Sequence, residues 1–214
     1  MFLKFPNVSL YRIMRDKILE KSKEMFLNLG FKSVTMDDIA GEIGVSKKTI
    51  YTHFKTKTDL VKEVTEAIFC VICTGIDLIH EQQKNPIKEL YEVKQFVMAY
   101  LKDEKSSPQY QLQKYYPKIY STLKQKQFEF MQESIKENLA RGIEQGLFRA
   151  SINVDFTARM YFNGMLGIKD QELFPLKNFS MNLLMDNYLE YHLRGISSEA
   201  GVKELEKQLQ NNLS

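Results

Sequence analysis

The chain has little of what catalysis or metal chemistry requires. It contains two cysteines and three histidines in 214 residues. Cys70, Cys73 and His80 fall at spacings that could share one face of a helix, a pattern that can suggest zinc binding or thiol redox work, but a fourth ligand is absent nearby. The cysteines read instead as small core residues, and His80 as a helix-end residue interacting with terminal carbonyls. No catalytic carboxylate pair, phosphate-cradling glycine loop or nucleophile arrangement stands out, so neither enzymatic activity nor a cofactor is expected. Long apolar runs are lacking too: the segment from Ala67 to Ile76 is too short to span a bilayer and reads as buried helix. The N-terminal residues, with Lys4, Pro6 and Asn7, show neither a sustained apolar core nor a cleavage site for secretion, and the expected location is the cytoplasm. There Asn7-Val8-Ser9, a glycosylation acceptor by pattern, would not meet that machinery. No internal repeat, low-complexity block or strand-rich region interrupts the chain.

What is present is concentrated near the start. Residues 1–60 hold 11 Lys/Arg and 7 Asp/Glu, a local excess of +4 against a net +3 for the whole chain. A modest positive end on a balanced protein favours phosphate contact. Within it, Thr35 and Asp38 form an approximate capping box for a short helix whose apolar side is Ile39, Ala40 and Ile43. Gly44 suits a left-handed exit, Val45 plugs the angle that follows, and Ser46 caps a second helix from Lys47 to about Phe54. Ile50 and Phe54 are spaced to bury together, leaving Lys47, Lys48, Thr49, Thr52 and His53 on other faces. Thr56 and Asp59 repeat the cap signal. Three helix starts so close together fit a helix-turn-helix. A first helix, about Leu10 to Leu29, carries a stripe of Met14, Ile18, Met25, Phe26 and Leu29 that braces the motif, with Gly30 as its stop; Met1 to Ser9 reads as a loose arm.

These residues resemble the TetR family of transcriptional regulators. The resemblance rests on Thr35, Ile39 and Ala40, on the Gly44-Val45-Ser46 turn, on Thr49, Ile50, Tyr51, His53 and Phe54, and on Lys57 with Leu60, and it covers about the first quarter of the chain. It implies that Tyr51 and Lys57 contact the DNA backbone, and that Lys47, Lys48, Thr49 and His53 face the groove. Lys48 departs from the family pattern, where a small residue or proline is common.

Beyond the motif the chain reads as all-α. Helices are expected over Lys57 to about His80, Pro86 to about Leu101, a short segment after Pro108, Pro117 to about Glu144, Val154 to Ile168 and Leu176 to Leu193, with prolines at first-turn positions and a turn from Gly146 through Asn153. A short extra helix can follow Gly195. The domains expected are an arm and three-helix DNA-binding domain over residues 1–56, a helical effector-binding and dimerisation domain over 57–195, and a tail over 196–214. Phe156, Met160, Met181, Leu184 and Tyr188 give the last helix pair more apolar surface than a single core stripe requires; the resemblance implies that such a pair forms a four-helix homodimer interface, which would set two recognition helices on a near-palindromic operator. Phe96, Tyr100, Tyr116, Tyr120, Phe128 and Met131 belong to an aromatic- and methionine-rich middle suited to a core or to a small hydrophobic or aromatic effector. The expectation is a homodimeric, ligand-responsive transcriptional regulator, a repressor; the alternative is a constitutive DNA-binding or architectural protein without an effector.

Overall fold

The computed structural model describes residues 8–101 and 108–211. The helices among them are α1 (Val8–Leu29), α2 (Met36–Ile43), α3 (Lys47–His53), α4 (Lys57–His80), α5 (Pro86–Tyr100), α6 (Pro108–Tyr115), α7 (Pro117–Glu144), α8 (Val154–Gly167), α9 (Met181–Ile196) and α10 (Glu199–Asn211). The fold is all-α. Helix α1 begins two residues ahead of the expected Leu10, while Lys4 lies outside the described residues. No helix among those described is long and apolar enough to cross a membrane.

The described residues form two compact units, one of residues 8–71 and 108–123, the other of residues 72–101 and 124–211. The division falls within α4 and within α7. In the first unit Ile18, Phe26, Phe31, Ile39, Ile50, Phe54, Leu60, Val61 and Val64 are buried, and the Phe26 and Phe31 rings meet at 5.0 Å. Leu29, expected on this stripe, faces outward. Gly30 ends α1 at φ 89°, where the side chain of Gln111 lies so close that a Cβ would overlap it. Conformation is what calls for glycine there, since the Gln111 atoms it faces are the end of a flexible side chain that can move aside.

In the second unit one core gathers Ile87, Leu90 and Tyr91 of α5, Ile135 and Leu139 of α7, Tyr161 of α8, Leu189 and Leu193 of α9 and Leu205 of α10. A smaller one joins Met98, Ile168, Met181, Leu184 and Met185. Asn85 caps α5, its side chain accepting from the Ile87 amide at 2.9 Å, with Pro86 in the first turn. After α7 the chain reverses at Gly146 (φ 69°), and Phe148 forms an isolated antiparallel bridge with Ser197. Helix α9 starts at Met181 under a Ser180 cap instead of at Leu176. The cause is a turn after Pro175, whose carbonyl accepts from the amides of Asn178 and Phe179 at 2.9 and 3.1 Å.

One ionic cluster lies inside this unit. Glu89 is fully buried, and its carboxylate accepts from Arg141, from Asn138 Nδ2 at 2.7 Å and from His80 Nδ1 at 2.9 Å. Asn138 Nδ2 also reaches the Pro86 carbonyl at 3.0 Å, and His80 Nε2 pairs with the Ser134 hydroxyl. His80 therefore serves a buried carboxylate, not the helix-end carbonyls expected of it. Burial opposes ionisation of Glu89, yet the hydrogen bonds from His80, Arg141 and Asn138 outweigh it and hold its carboxyl below the usual range. Since the folded value lies below the unfolded one, this stabilisation is complete above the unfolded pKa and is lost as pH falls through the folded value. Glu89→Gln places amide hydrogens among these donors and leaves Arg141 without its carboxylate, with only the Lys84 carbonyl as partner. We expect it to cost about 3 kcal/mol at neutral pH, measured by urea unfolding, with the gap to wild type narrowing as pH drops below about 4.

Candidate nucleic-acid interface

The motif is held by local hydrogen bonds that its sequence specifies. Thr35 caps α2: the Asp38 amide donates to Thr35 Oγ1 at 3.1 Å, and the Thr35 amide donates to Asp38 Oδ2 at 2.8 Å. The Thr35 hydroxyl also donates to Asp38 Oδ2 at 2.8 Å, and the hydrogen bonds from the Thr35 backbone and hydroxyl hold the Asp38 carboxyl below its ordinary pKa. Gly44 closes α2 at φ 72°, ψ 37°, and the Val45 amide returns to the Ala40 carbonyl at 3.0 Å. Ser46 then accepts from the Thr49 amide at 3.1 Å. Thr56 and Asp59 exchange the same reciprocal pair at the start of α4, at 3.0 and 3.1 Å.

Helix α3 is only seven residues long, too short to be stable alone, and it is seated by Ile50 and Phe54, both buried. Lys47, Lys48, Tyr51 and Thr52 are exposed, whereas Thr49, His53 and Lys57 are half-buried. Their side chains are differently committed. Lys47 Nζ sits 2.7 Å from Asp37, whose hydrogen bond raises the amine's pKa. Thr49 shares a hydrogen bond with the Ser46 hydroxyl at 2.9 Å, and the Thr52 hydroxyl donates to the Lys48 carbonyl at 2.9 Å. Lys57 Nζ donates to the Lys32 carbonyl at 3.2 Å; burial lowers its pKa, with Asp38 opposing. Tyr11 and Arg15 of α1, absent from the sequence-based site, bear directly on this surface. Tyr11 stacks on His53 with ring centroids 4.3 Å apart. The Arg15 guanidinium lies 4.9 Å from the Phe54 ring centroid and pairs with Glu63. Their spacing from buried Ile18, seven and three residues back along α1, was the available signal.

The other expected residues are dispersed. In the first unit Tyr116 and Tyr120 are half-buried, and burial raises the Tyr116 pKa. In the second, Phe96 lies 6.3 Å from Tyr100 between ring centroids and against Gly75, where a Cβ would overlap its ring. Phe128 meets Phe162 edge-on at 5.2 Å, and Met131 packs on the larger core. Met181 and Leu184, assigned from sequence to a subunit interface, are buried in the smaller core of their own chain. The Tyr188 hydroxyl donates to the Met160 and Tyr161 carbonyls at 3.1 and 2.9 Å, fastening α9 to α8. The apolar side chains turned outward are Phe156 and Met160 of α8, 62% and 46% exposed, and Leu183 and Tyr191 of α9, 49% and 76% exposed. Cys70 is exposed and Cys73 half-buried, so Cys70 is not the core residue expected. Among the described residues no group of three or more His, Cys, Asp or Glu could hold a metal ion.

An anchored short helix presenting lysine, tyrosine and threonine beyond a glycine turn defines a helix-turn-helix, DNA-binding transcriptional regulator. Residues 18–64, 47 of the 214, match the family model described as bacterial regulatory proteins, tetR family. Along its length it is 26% identical over 196 residues to the HTH-type transcriptional repressor KstR2 of Mycolicibacterium smegmatis, covering 88% of this chain and 93% of the relative. The fold is shared with the ketosteroid transcriptional regulator KstR2 of Mycobacterium tuberculosis, at TM-score 0.56 and 21% identity over 87% of this chain and 96% of the other. It is shared as well with a TetR-family regulator from Agrobacterium tumefaciens, at TM-score 0.68 and 17% identity over 88% of this chain and the whole of the other.

Gly44 gives the motif a direct test. Nothing lies within 4 Å of where its Cβ would stand, so Gly44→Ala changes backbone conformation alone. The left-handed conformation should cost alanine about 1 to 2 kcal/mol, with Gly44→Asn costing less; thermal or urea unfolding of both variants checks the order.

Proposed function

We propose that the protein is a ligand-responsive repressor that binds a near-palindromic operator as a homodimer. The observation that carries the reading is the seating of α3 by Ile50 and Phe54, which leaves Lys48, Tyr51 and Thr52 exposed on a fixed helix. Lys47, Lys48, Thr49, Thr52 and His53 serve as the groove-facing set, and Tyr51 and Lys57 bind phosphates. Lys57 keeps further N–H donors beyond the one given to Lys32. In the second unit the half-buried Phe96, Tyr100 and Phe128, with Met131, supply apolar area for a small hydrophobic or aromatic effector, and Tyr116 and Tyr120 of the first unit are candidates by themselves. The name of the M. tuberculosis regulator refers to ketosteroids, and a ketosteroid is therefore a reasonable first probe. An effector releases DNA only by binding the released state more tightly.

The dimer surface is drawn from the outward apolar residues of α8 and α9, namely Phe156, Met160, Leu183 and Tyr191, with Tyr188 holding the two helices in register. Exposed apolar area of this kind is a reason to expect a covering partner, and cyclic dimers place the same patch on both subunits.

Selection of bound fragments from genomic DNA, followed by release assays with candidate effectors, tests the function; recovery of only sequence-independent binding would overturn it. On the recovered operator, Lys48→Ala should change base preference by about tenfold at one position of each half-site. Lys57→Ala should weaken operator and unrelated duplexes by similar factors and flatten the salt dependence by about one counterion per subunit.

For the dimer, Leu183→Asp combined with Tyr191→Asp should give folded monomers by sedimentation and lose operator affinity about a hundredfold or more through loss of linked binding. A folded dimer with wild-type affinity would remove these residues from the interface. Leu184→Asp, by contrast, should unfold the second unit, because it buries a charge in that unit's own core.

A further inference from the structure

The geometry points to Tyr11 as a positioning residue that fixes the orientation and tautomer of His53, so that His53 meets DNA as a hydrogen-bond donor through Nε2 and selects an acceptor edge. This rests on the reading that α3 enters the groove.

Two contacts run from one side chain. The Tyr11 ring lies on the His53 imidazole with centroids 4.3 Å apart and planes inclined by 40°. The Tyr11 hydroxyl is 3.4 Å from the Thr52 carbonyl, in the last turn of α3, where helix carbonyls have no partner along the chain. Helix α3 ends without glycine, at Phe54 in an extended conformation. The phenol of α1 thus caps α3 from outside and at the same time covers the imidazole.

The imidazole's two nitrogens are left unequal. His53 Nδ1 is buried with no hydrogen-bond partner, whereas Nε2 of this half-buried residue is not among the buried unpartnered atoms. A proton on Nδ1 would have no acceptor and would stand in the field of the Arg15 guanidinium, whose own partner is Glu63. Placing the single proton on Nε2 avoids an orphaned buried N–H, the rarer and costlier defect. Burial first and Arg15 second push the His53 pKa below its ordinary value, which keeps the ring neutral. A neutral ring with its proton on Nε2 offers DNA one donor and no acceptor. In the major groove that donor suits N7 or O6 of guanine, N7 of adenine or O4 of thymine, and is mismatched with the amino group of cytosine.

The test uses the full chain in two measurements. In nitrogen-labelled protein without DNA, long-range proton–nitrogen spectra should show His53 protonated on Nε2 in wild type and in Tyr11→Phe, which keeps the ring. Tyr11→Leu should show mixed tautomers and a pKa moved toward the ordinary value. On operators varied at the base facing His53, wild type should favour an acceptor over cytosine by about tenfold. Tyr11→Leu should reduce that to about twofold, whereas Tyr11→Phe, which loses the same hydroxyl contact to α3 but keeps the ring, should retain it. An Nδ1–H tautomer in wild type, wild-type His53 signals in Tyr11→Leu, or a uniform loss over all operators would overturn the proposal. Wild type with the Nε2–H tautomer but no preference at any operator position would overturn α3 as the groove reader and the donor role with it, while upholding the hold of Tyr11 on the ring.

Discussion

The seating of α3 is the constraint on which the DNA-binding surface depends. Seven residues cannot hold a helix by their own hydrogen bonds, and none of the exposed side chains of α3 would have a defined direction without Ile50 and Phe54 locked into the core of the first unit. Burying two such side chains contributes about 3 to 6 kcal/mol, far more than the caps at Thr35, Ser46 and Thr56. Those caps do a different job. They decide where each helix starts, and so which residues Ile50 and Phe54 carry outward with them.

The second unit is organised around a charge instead. Glu89 has no access to water, so its carboxylate is tolerable only because Arg141, Asn138 and His80 converge on it. These partners come from the end of α4 and from α7. A cluster of this sort adds little net stability over a well-packed apolar substitute, but breaking any one member is costly. Its effect is to specify which turn of α7 lies beside the start of α5, since a shift by one residue would strand the carboxylate. The C-terminal end of α4 is fixed by the same contacts through His80.

How much of this was legible depends on the range over which the signal acts. The caps and the Gly44 turn are set within four residues, and the motif was readable from them; the limits of α4 and α7 were readable for the same reason, from Thr56 with Asp59 and from Pro117. The Glu89 cluster joins residues about fifty positions apart, and nothing in the neighbourhood of Glu89 announces Arg141. Tyr11 was hidden likewise, because its partner His53 lies on another helix. In α9 the difficulty is different: Met181, Leu184 and Met185 on one side and Leu183 and Tyr191 on another make the helix apolar over most of its circumference. Periodicity then shows that both sides exist but not which one the chain covers itself. Packing settles it by placing Met181 and Leu184 in the smaller core.

The free-state commitments of α3 also rank the contacts it can offer to DNA. Lys47 shares its charge with Asp37, and although an exposed pair is weak, it subtracts from whatever Lys47 would gain on a phosphate or base. The Thr52 hydroxyl hydrogen already lies on the Lys48 carbonyl, leaving its oxygen as an acceptor for a base amino group. Lys48 is exposed and has no side-chain partner among the described residues, so it gives up only hydration and rotamer freedom on binding. It is also the position at which the chain departs from the family pattern. On the proposed reading, the exposed side chain of α3 that is least committed within the fold is thus the one with most freedom to set base preference.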